Sequence, residues 1–461
     1  MRATVHSMRF VLILLVLAAR ALAPARPASS PVRQLRVAAD HRHLEFVDGQ
    51  PFFYLGDTAW ELFHRLNREE TDRYLRNRAA KGFTVIQAVA LYAAALKEPN
   101  AYGQFPLIDG DPARPNPRYF EHVDWVVDRA AELGLFIGML PTWGNHWKTA
   151  RIFTPQKARA YGEFLGKRYR GKPVIWILGG DQNVDTAEER AIMDAMAEGL
   201  RKGDGGEHLI TYHPRGPGLS SLALHDAPWL DFNMFQSSHA SHDHDNGLFV
   251  EHDYALTPPK PTLDGEPRYE LLIVGFYFRD FNRLDRFDDY DVRQAAYWSL
   301  LAGACGHTYG HNSVWQMWAP GREPLLGANV PWWEALDHPG AFQMGILRRL
   351  FESRPWWRLV PDQQMILNGP RDGGAKIRAA RDREGTFAFV YSPRGEPFTI
   401  NARVLKLRRM KEIWFDPRYG VAYEVHTTDT PSIQTYTPPT RGRGCDWVLI
   451  LEDADANYRV P

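Results

Sequence analysis

The stretch VIWILGGDQN, residues 174–183, places an apolar run directly before a group of polar side chains. The run carries no charge and is rich in β-branched and aromatic residues, which is typical of a strand buried on both faces of a parallel sheet. Gly179 and Gly180 end this strand, and Asp181 follows with two side-chain amides. We expect the glycines to let the backbone approach a substrate closely, because they have no side chain in the way.

Apolar runs of this kind recur between residues 35 and 352, and helix-like segments separate them. The predicted strands are 52–60, 83–91, 135–143, 174–183, 209–214, 230–238, 261–270 and 305–311. One intervening helix has clear ends, with Asn67 as its cap and Gly82 as its stop. Alternating strands and helices predict an α/β fold. Eight strands, with no G-x-G-x-x-G after the first, favour a (β/α)8 TIM barrel over residues 35–352.

After residue 352 the chain changes to short alternating strands separated by Gly, Pro and Asp. The predicted strands lie in KIRAARD, GTFAFVYSP, FTINARVL, KEIWFDP, VAYEVHTT and DWVLILED. This pattern predicts a small β-sandwich over residues 355–461. Trp356 and Trp357 stand at its junction with the barrel. Two uses of the sandwich stay open, which are binding of a polymer or protein and plain packing against the barrel.

Residues 1–30 have the pattern of a signal peptide. Arg2 and Arg9 precede the apolar run 10–19, and small residues follow it. The run is shorter than the ~20 residues that a transmembrane helix needs. We therefore expect an exported protein, periplasmic or extracellular, with no membrane span.

The composition narrows the class of protein. The chain has 55 Lys+Arg and 55 Asp+Glu among 461 residues. It therefore lacks the excess of positive charge that is typical of proteins that bind nucleic acid. The 15 Trp, 19 Tyr and 24 Phe suit carbohydrate binding and a well-packed core alike. The two cysteines exclude a disulfide framework. We expect no cofactor and no obligate protein partner.

Polar and aromatic side chains follow nearly every predicted strand, at the end of a barrel where active sites lie. His213 belongs to this rim, without an assigned role. The predicted substrate-binding residues are Asp57, Trp60, Gln87, Tyr92, Trp143, His146, Asn183, Gln236, His239, His307, Tyr309 and Trp315.

Two carboxylates on the rim suit glycoside hydrolysis, which needs a proton donor and a nucleophile or general base. Asp181 follows the fourth strand and Glu266 lies in the seventh, across the barrel. In a retaining enzyme such carboxyl groups stand about 5 to 5.5 Å apart. The donor needs a raised pKa, so we expect apolar and carboxylate neighbours for Asp181 and hydrogen-bond donors around Glu266.

Each assignment has a plainer alternative. Asp181 is also a good cap for the following helix. Glu266 lies beside a turn-forming Asp-Gly pair and is alternatively a surface residue, with Asp264 and Glu270 as replacement carboxylates. Asp57 is as well suited to bracing the barrel as to touching a ligand.

Residues 237–247, which we call the histidine loop, carry several residues of metal-binding type. These are His239, His242, Asp243, His244 and Asp245. Their spacing matches no standard zinc pattern. We therefore predict a polar loop over the active site rather than a metal site, with His239 nearest the substrate.

Several long motifs together resemble one known family. These are GMLPTWGNHW, IWILGGDQN, FQSSH, DGEPRYE and GACGHTYGHNSVW. They are similar to those of the apiosidase-like glycoside hydrolases, glycoside hydrolase family 140, and the tail from PWWRLVPD resembles the sandwich usually appended to them.

The resemblance implies a barrel hydrolase with Asp181 as acid/base, from the GGDxN motif, and Glu266 as nucleophile, from the DGExxYE motif. It also implies release of apiose-linked sugar from the pectin rhamnogalacturonan II, or a related furanosidase activity on a polysaccharide side chain. The alternative is a carbohydrate-binding protein on a degenerate barrel, which would bind saccharides without cleaving them.

Overall fold

The computed structural model describes residues 33–456 and 458–459. The predicted signal peptide, residues 1–30, lies outside the described residues. The described chain begins with a small antiparallel sheet. Its strands are β1 (Leu35–Val37), β2 (Leu44–Phe46) and β3 (Pro51–Phe52).

The next nine strands form one curled sheet. They are β4 (Tyr54–Thr58), β5 (Val85–Val89), β6 (Phe136–Leu140), β7 (Val174–Gly179), β8 (Ile210–His213), β9 (Gly218–Leu219), β10 (Asn233–Gln236), β11 (Thr262–Asp264) and β12 (Gly306–Tyr309). The order is β8-β7-β6-β5-β4-β12-β11-β10-β9, and only β9 is antiparallel to its neighbour. Each of the eight parallel strands lies inside a predicted strand, so the predicted (β/α)8 architecture is confirmed.

Hydrogen bonds close the sheet between its fifth and sixth parallel strands. The backbone N–H of Asp231 donates to the carbonyl oxygen of Ile210 at 2.9 Å. The hydroxyl of Thr211 donates to the carbonyl oxygen of Phe232 at 2.7 Å. These bonds bring β8 and β10 together, so the carboxyl ends of the eight strands surround one site.

Helices alternate with the barrel strands. They are α1 (Leu62–Arg65), α2 (Arg68–Ala80), α3 (Pro117–Glu132), α4 (Pro155–Tyr169), α5 (Ala187–Asp204), α6 (Ser221–Leu224), α7 (Gly247–Tyr254), α8 (Asp289–Leu301), α9 (Asn312–Trp315), α10 (Trp332–Ala335) and α11 (Pro339–Glu352). Short 3-10 turns occupy Ile108–Gly110, Leu325–Gly327, Trp356–Arg358, Gln363–Met365, Gly373–Ala375 and Ala402–Val404, and Asn145–Thr149 is a π turn. Asn67 caps α2 together with Glu70, as its sequence predicts. No helix among the described residues is long and apolar enough to cross a bilayer.

Each of the eight parallel strands ends earlier than predicted, and two of these early ends concern the candidate carboxylates. Strand β7 stops because Gly179, Gly180 and Asp181 have positive φ angles of 91°, 82° and 60°. A Cβ on Gly179 would lie 2.4 Å from the carbonyl oxygen of His213, so this glycine lets neighbouring strands approach each other, not a substrate as we expected. Strand β11 ends at Asp264, so Glu266 follows the seventh strand instead of lying in it.

The C-terminal region forms two antiparallel sheets. The larger contains β13 (Leu359–Pro361), β15 (Arg378–Asp382), β16 (Phe387–Ser392), β18 (Met410–Asp416), β19 (Val421–Thr428) and β21 (Trp447–Asp453), and the smaller contains β14 (Ile366–Asn368), β17 (Phe398–Asn401) and β20 (Ile433–Tyr436). A buried apolar cluster lies between them. This confirms the predicted β-sandwich. Strands β13, β14 and β20 were not among its predicted strands.

The sandwich packs on the barrel through a shared apolar core. Trp356 packs edge-on against Phe53, with ring centroids 4.9 Å apart. The same buried cluster includes Leu347 from α11 and Phe389 from β16. Ion pairs strengthen the contact, such as Arg293 with Asp446 at 2.6 Å. Packing against the barrel is therefore one use of the sandwich.

Candidate active site

Glu266 lies just beyond β11 and is only 8% exposed, so it is not a surface turn residue. Nε2 of His213 lies 3.1 Å from one of its carboxylate oxygens, and Nε2 of His239 lies 3.1 Å from the other. Burial alone would raise the pKa of Glu266, but the contacts with the two imidazoles outweigh burial and lower the pKa below its usual value. Glu266 is therefore held as a carboxylate.

The tautomer of His213 follows from its second contact. The backbone N–H of Asp181 donates to Nδ1 of His213 at 3.1 Å. Because Nδ1 accepts this bond, a neutral ring carries its proton on Nε2, which faces Glu266. His213 thus connects the backbone of one candidate catalytic residue to the side chain of the other.

Asp181 has the opposite environment. Burial raises the pKa of its carboxyl group, and the nearby charge of Glu266 raises it further, while a side-chain hydrogen bond with Gln236 partly offsets both. The helix-cap alternative fails, because Thr186 caps α5 and bonds to Glu189. The carboxylate neighbour expected for Asp181 and the hydrogen-bond donors expected around Glu266 are present.

The two replacement carboxylates are engaged elsewhere. Asp264 accepts hydrogen bonds from the hydroxyl of Ser237 and the side-chain amide of Asn246. Glu270 accepts from the hydroxyl of Tyr309 at 2.6 Å and from the backbone N–H of Gly340 at 3.1 Å. Both therefore support the structure around the site.

An aromatic wall, formed by Trp60, Tyr92 and Trp143, stands beside His213. The ring centroid of Trp143 lies 5.4 Å from Trp60 and 5.8 Å from Tyr92. The Trp60 ring lies 5.3 Å from that of His213. Trp60 and Tyr92 are buried and Trp143 is half-buried, so Trp143 is the ring of this wall that is suited to contact with a sugar.

Gln236 and His239 also reach the carboxyl groups, whereas three other predicted binding residues have structural contacts. Asp57 is fully buried and ion-pairs with Arg78 at 2.7 Å, which favours the bracing alternative. Gln87 donates to the carbonyl oxygen of Gly265 at 2.9 Å. Nε2 of His146 lies 2.9 Å from the carbonyl oxygen of Tyr92, and so supports the aromatic wall.

The remaining predicted residues lie around the rim. Asn183 is exposed, and its side-chain oxygen accepts from the backbone N–H of Arg215 at 3.0 Å. On the eighth strand, His307 and Tyr309 are buried. Trp315 donates its indole N–H to Asn312 at 3.2 Å. The substrate contacts of these four residues stay predictions.

The histidine loop is held by ion pairs to the sandwich and to α8. Asp245 pairs with Arg378 at 2.8 Å and with Lys376 at 2.7 Å. Nδ1 of His242 lies 3.0 Å from Asp291, and this contact raises the pKa of the imidazole. No cluster of three or more His, Cys, Asp or Glu in the described part of the chain is arranged to hold a metal ion.

Sequence reasoning gave no role to His213 and overlooked Tyr269 and Glu61. The Tyr269 ring lies 4.8 Å from that of His239, and burial together with the charge of Glu266 raises the pKa of its hydroxyl. The only available signal was proximity, since Tyr269 lies in the same DGExxYE motif as Glu266 and Glu61 follows Trp60 directly.

Comparison with known proteins agrees with this geometry. Residues 38–358 match the family described as the apiosidase-like catalytic domain. The chain belongs to the apiosidase-like family. Residues 360–452 of this apiosidase-like chain match a second family, described as the collagen-binding domain of a collagenase. Assignment to family 140 stays a prediction.

Solved structures give the same result. One described as a glycoside hydrolase is 34% identical to the apiosidase-like chain, with a TM-score of 0.85, and covers 93% of this chain and 98% of its own. A family 5 glycoside hydrolase from Bacteroides vulgatus is also 34% identical, with a TM-score of 0.85. The match covers 92% of this chain and 95% of the Bacteroides chain. No curated protein sequence matches significantly. The apiosidase-like chain is thus a glycosidase, with a carbohydrate substrate.

Proposed function

We propose that this glycosidase retains anomeric configuration, with Glu266 as nucleophile and Asp181 as acid/base. The observation that carries the proposal is the contrast between the surroundings of the two carboxyl groups, which displaces their pKa values in opposite directions. Burial and the charge of Glu266 keep the proton on Asp181, and two imidazoles keep Glu266 ionised. An acid and a nucleophile need these two states at the same pH.

In the first step the Glu266 carboxylate attacks the anomeric carbon. The glycosidic C–O bond breaks, and the proton of Asp181 passes to the leaving oxygen. In the second step the Asp181 carboxylate takes a proton from water, whose oxygen attacks the same carbon. The bond to Glu266 breaks, and both carboxyl groups return to their starting states.

For the substrate, we propose an apiosyl or related furanosyl bond in a polysaccharide side chain, as in the pectin rhamnogalacturonan II. The family match supports apiose. The aromatic wall supports a sugar in contact with the carboxyl groups. We also propose that the enzyme is exported, periplasmic or extracellular, on the pattern of residues 1–30. Cell fractionation with N-terminal sequencing of the mature enzyme tests export, and a cytoplasmic enzyme with an intact N-terminus contradicts it.

Variant kinetics test the two roles. Asp181→Asn should lower kcat/KM on an apiosyl oligosaccharide by roughly 10²–10⁴-fold, the usual contribution of a general acid. The loss should be smaller on 4-nitrophenyl apiofuranoside, whose leaving group needs little protonation. Glu266→Gln should abolish turnover on both substrates.

Glu270→Gln is the matched control, since Glu270 is another buried carboxylate near this end of the barrel. It should keep kcat/KM within a few-fold of the wild-type value. Near wild-type turnover by the Glu266 variant would refute the nucleophile. Saccharide binding without turnover by the wild-type enzyme would favour the degenerate-barrel alternative.

A further inference from the structure

A cavity that neither Asp181 nor Glu266 lines opens beside the aromatic wall, and we call it the second cavity. Its volume is about 490 Å³, within the ~300–1,000 Å³ typical of small-ligand pockets. Segments that follow β4, β5 and β12 enclose it, at the end of the barrel where ligands bind. The lining side chains that matter here are Glu61, Arg65, Tyr92, Glu98, Trp318 and Arg322.

Tyr92 belongs both to this cavity and to the aromatic wall. Its ring lies 5.8 Å from that of Trp143. Burial raises the pKa of its hydroxyl, and the charges of Glu61, Glu266 and Asp181 add to the increase. Tyr92 lines the second cavity, and the Trp143 ring beside it lies 6.3 Å from the ring of His213, so the cavity and the catalytic centre share the aromatic wall.

The cavity offers both donors and acceptors of hydrogen bonds. Nε of Arg65 bonds to the Glu61 carboxylate at 2.5 Å, and its terminal nitrogen lies 3.2 Å from Glu98. Arg322 donates to the backbone oxygens of Met317 and Arg65. Within the described part of the chain, Arg322 forms no ion pair with a carboxylate.

This lining matches the chemistry of a sugar. Sugar hydroxyls donate and accept hydrogen bonds, and planar carboxylate and guanidinium groups bind neighbouring hydroxyls in pairs. The half-buried Trp318 adds a flat ring that can cover the apolar face of a sugar. Glu61 is 1% exposed and bonds to Arg65, so it holds the Arg65 guanidinium in the cavity wall.

We propose that the second cavity is a sugar-binding subsite for the unit adjacent to the sugar whose bond is cleaved. The proposal rests on the proposed apiosidase-type function of the neighbouring carboxyl groups. It makes the natural substrate an oligosaccharide in which at least two sugar units are recognised. A single furanoside with an aryl leaving group fills the catalytic centre alone.

Three variants of the full-length enzyme test this subsite: Glu98→Gln, Trp318→Leu and Arg322→Lys. Each is assayed on 4-nitrophenyl apiofuranoside and on apiosyl oligosaccharides from rhamnogalacturonan II. We expect kcat/KM to fall about tenfold or more on the oligosaccharides and to stay within twofold on the aryl furanoside. Arg403→Ala, an exposed arginine on the sandwich, is the control and should change neither value.

Equal losses on both substrates would show that the residues only support the fold, and unchanged values on both would show that they bind no sugar. Either result overturns the proposal. If the wild-type enzyme cleaves neither substrate, the proposed apiosidase function is wrong. The subsite is then tested separately, by measuring whether the enzyme binds oligosaccharides. Tryptophan fluorescence titration with pectin oligosaccharides should then show binding that Arg322→Lys weakens tenfold, and absence of binding to the wild-type enzyme overturns the subsite.

Discussion

Replacing His239 by phenylalanine removes one of the two imidazole N–H groups that face Glu266, and it keeps most of the side-chain volume. Nε2 of His239 lies 3.1 Å from the Glu266 carboxylate, and both side chains are buried. A carboxylate only accepts hydrogen bonds, so Nε2 is the donor. Its loss destabilises the ionised form of Glu266 relative to the protonated form, and the pKa of Glu266 must rise.

The size of the effect follows from the bond that is lost. A buried hydrogen bond to a charged group contributes about 1.5 to 3 kcal/mol. At 1.36 kcal/mol per tenfold change in the ionisation equilibrium, the pKa of Glu266 rises by about 1 to 2 pH units. Glu266 must be ionised to attack, so the acidic limb of kcat/KM should move to higher pH by the same amount. The alkaline limb, which reports the proton of Asp181, should move less.

The assay is the pH dependence of kcat/KM on an aryl apiofuranoside, which reports the ionisation of the free enzyme. His239→Gln offers an amide donor and should restore part of the displacement. His122→Phe is the control, because His122 is a buried residue of α3 whose ring packs against Tyr102. An unmoved acidic limb in His239→Phe, with kcat/KM lowered equally at all pH values, would refute electrostatic support of Glu266.

Three further predictions concern stability, measured as the free energy of unfolding in urea. Arg378→Ala leaves Asp245 with Lys376 as its remaining cationic partner and should lower the free energy by about 1 to 3 kcal/mol. Gly179→Ala should lower it by at least ~1 to 2 kcal/mol, because φ is 91° and the new Cβ would meet a carbonyl oxygen at 2.4 Å. Burial raises the pKa of Glu270 to about 7, so the folded state keeps a proton that the unfolded state has released, and stability falls as pH rises from about 4.5 to 7. Glu270→Gln should remove this pH dependence, which amounts to about 3 kcal/mol of the free energy of unfolding between the two pH values.

Control variants test whether each loss of stability has the cause given for it. Arg409→Ala breaks an exposed ion pair with Asp455 and should cost at most about 1 kcal/mol. Gly206→Ala has a φ of 79° with open space around it, so it shows the backbone strain without the collision. If Gly206→Ala costs as much as Gly179→Ala, the collision has no effect. A pH slope unchanged in Glu270→Gln would contradict the proton held by Glu270.

The barrel was predictable because strand-like runs, of which β6 and β7 are the most apolar, alternate with helix-like segments and are followed by polar residues. The sandwich strands β13, β14 and β20 were not predicted. They are three or four residues long, and most of their residues are partly exposed. A segment this short cannot display the alternation of apolar and polar residues by which a strand is predicted. Short strands of this kind form through pairing with a longer partner, which the sequence of the segment itself does not specify.

Asp181 and Glu266 were predictable as residue types at strand ends, but their environments were not. The bond between the Asp181 backbone and His213 joins residues 32 positions apart, through a left-handed conformation that a non-glycine residue seldom adopts. Asp57 shows the opposite case. It follows the same strand-end rule, yet it turns towards Arg78 of α2, because only the three-dimensional packing decides which side of the strand faces the site.

The stereochemistry of the first product decides whether Asp181 and Glu266 act by double displacement. Hydrolysis of 4-nitrophenyl apiofuranoside in deuterated water, followed by proton NMR from the first seconds, identifies the anomer before mutarotation. We predict that the first sugar released has the same anomeric configuration as the substrate. An inverted first product would show that water attacks directly, and Glu266 could then not be the nucleophile.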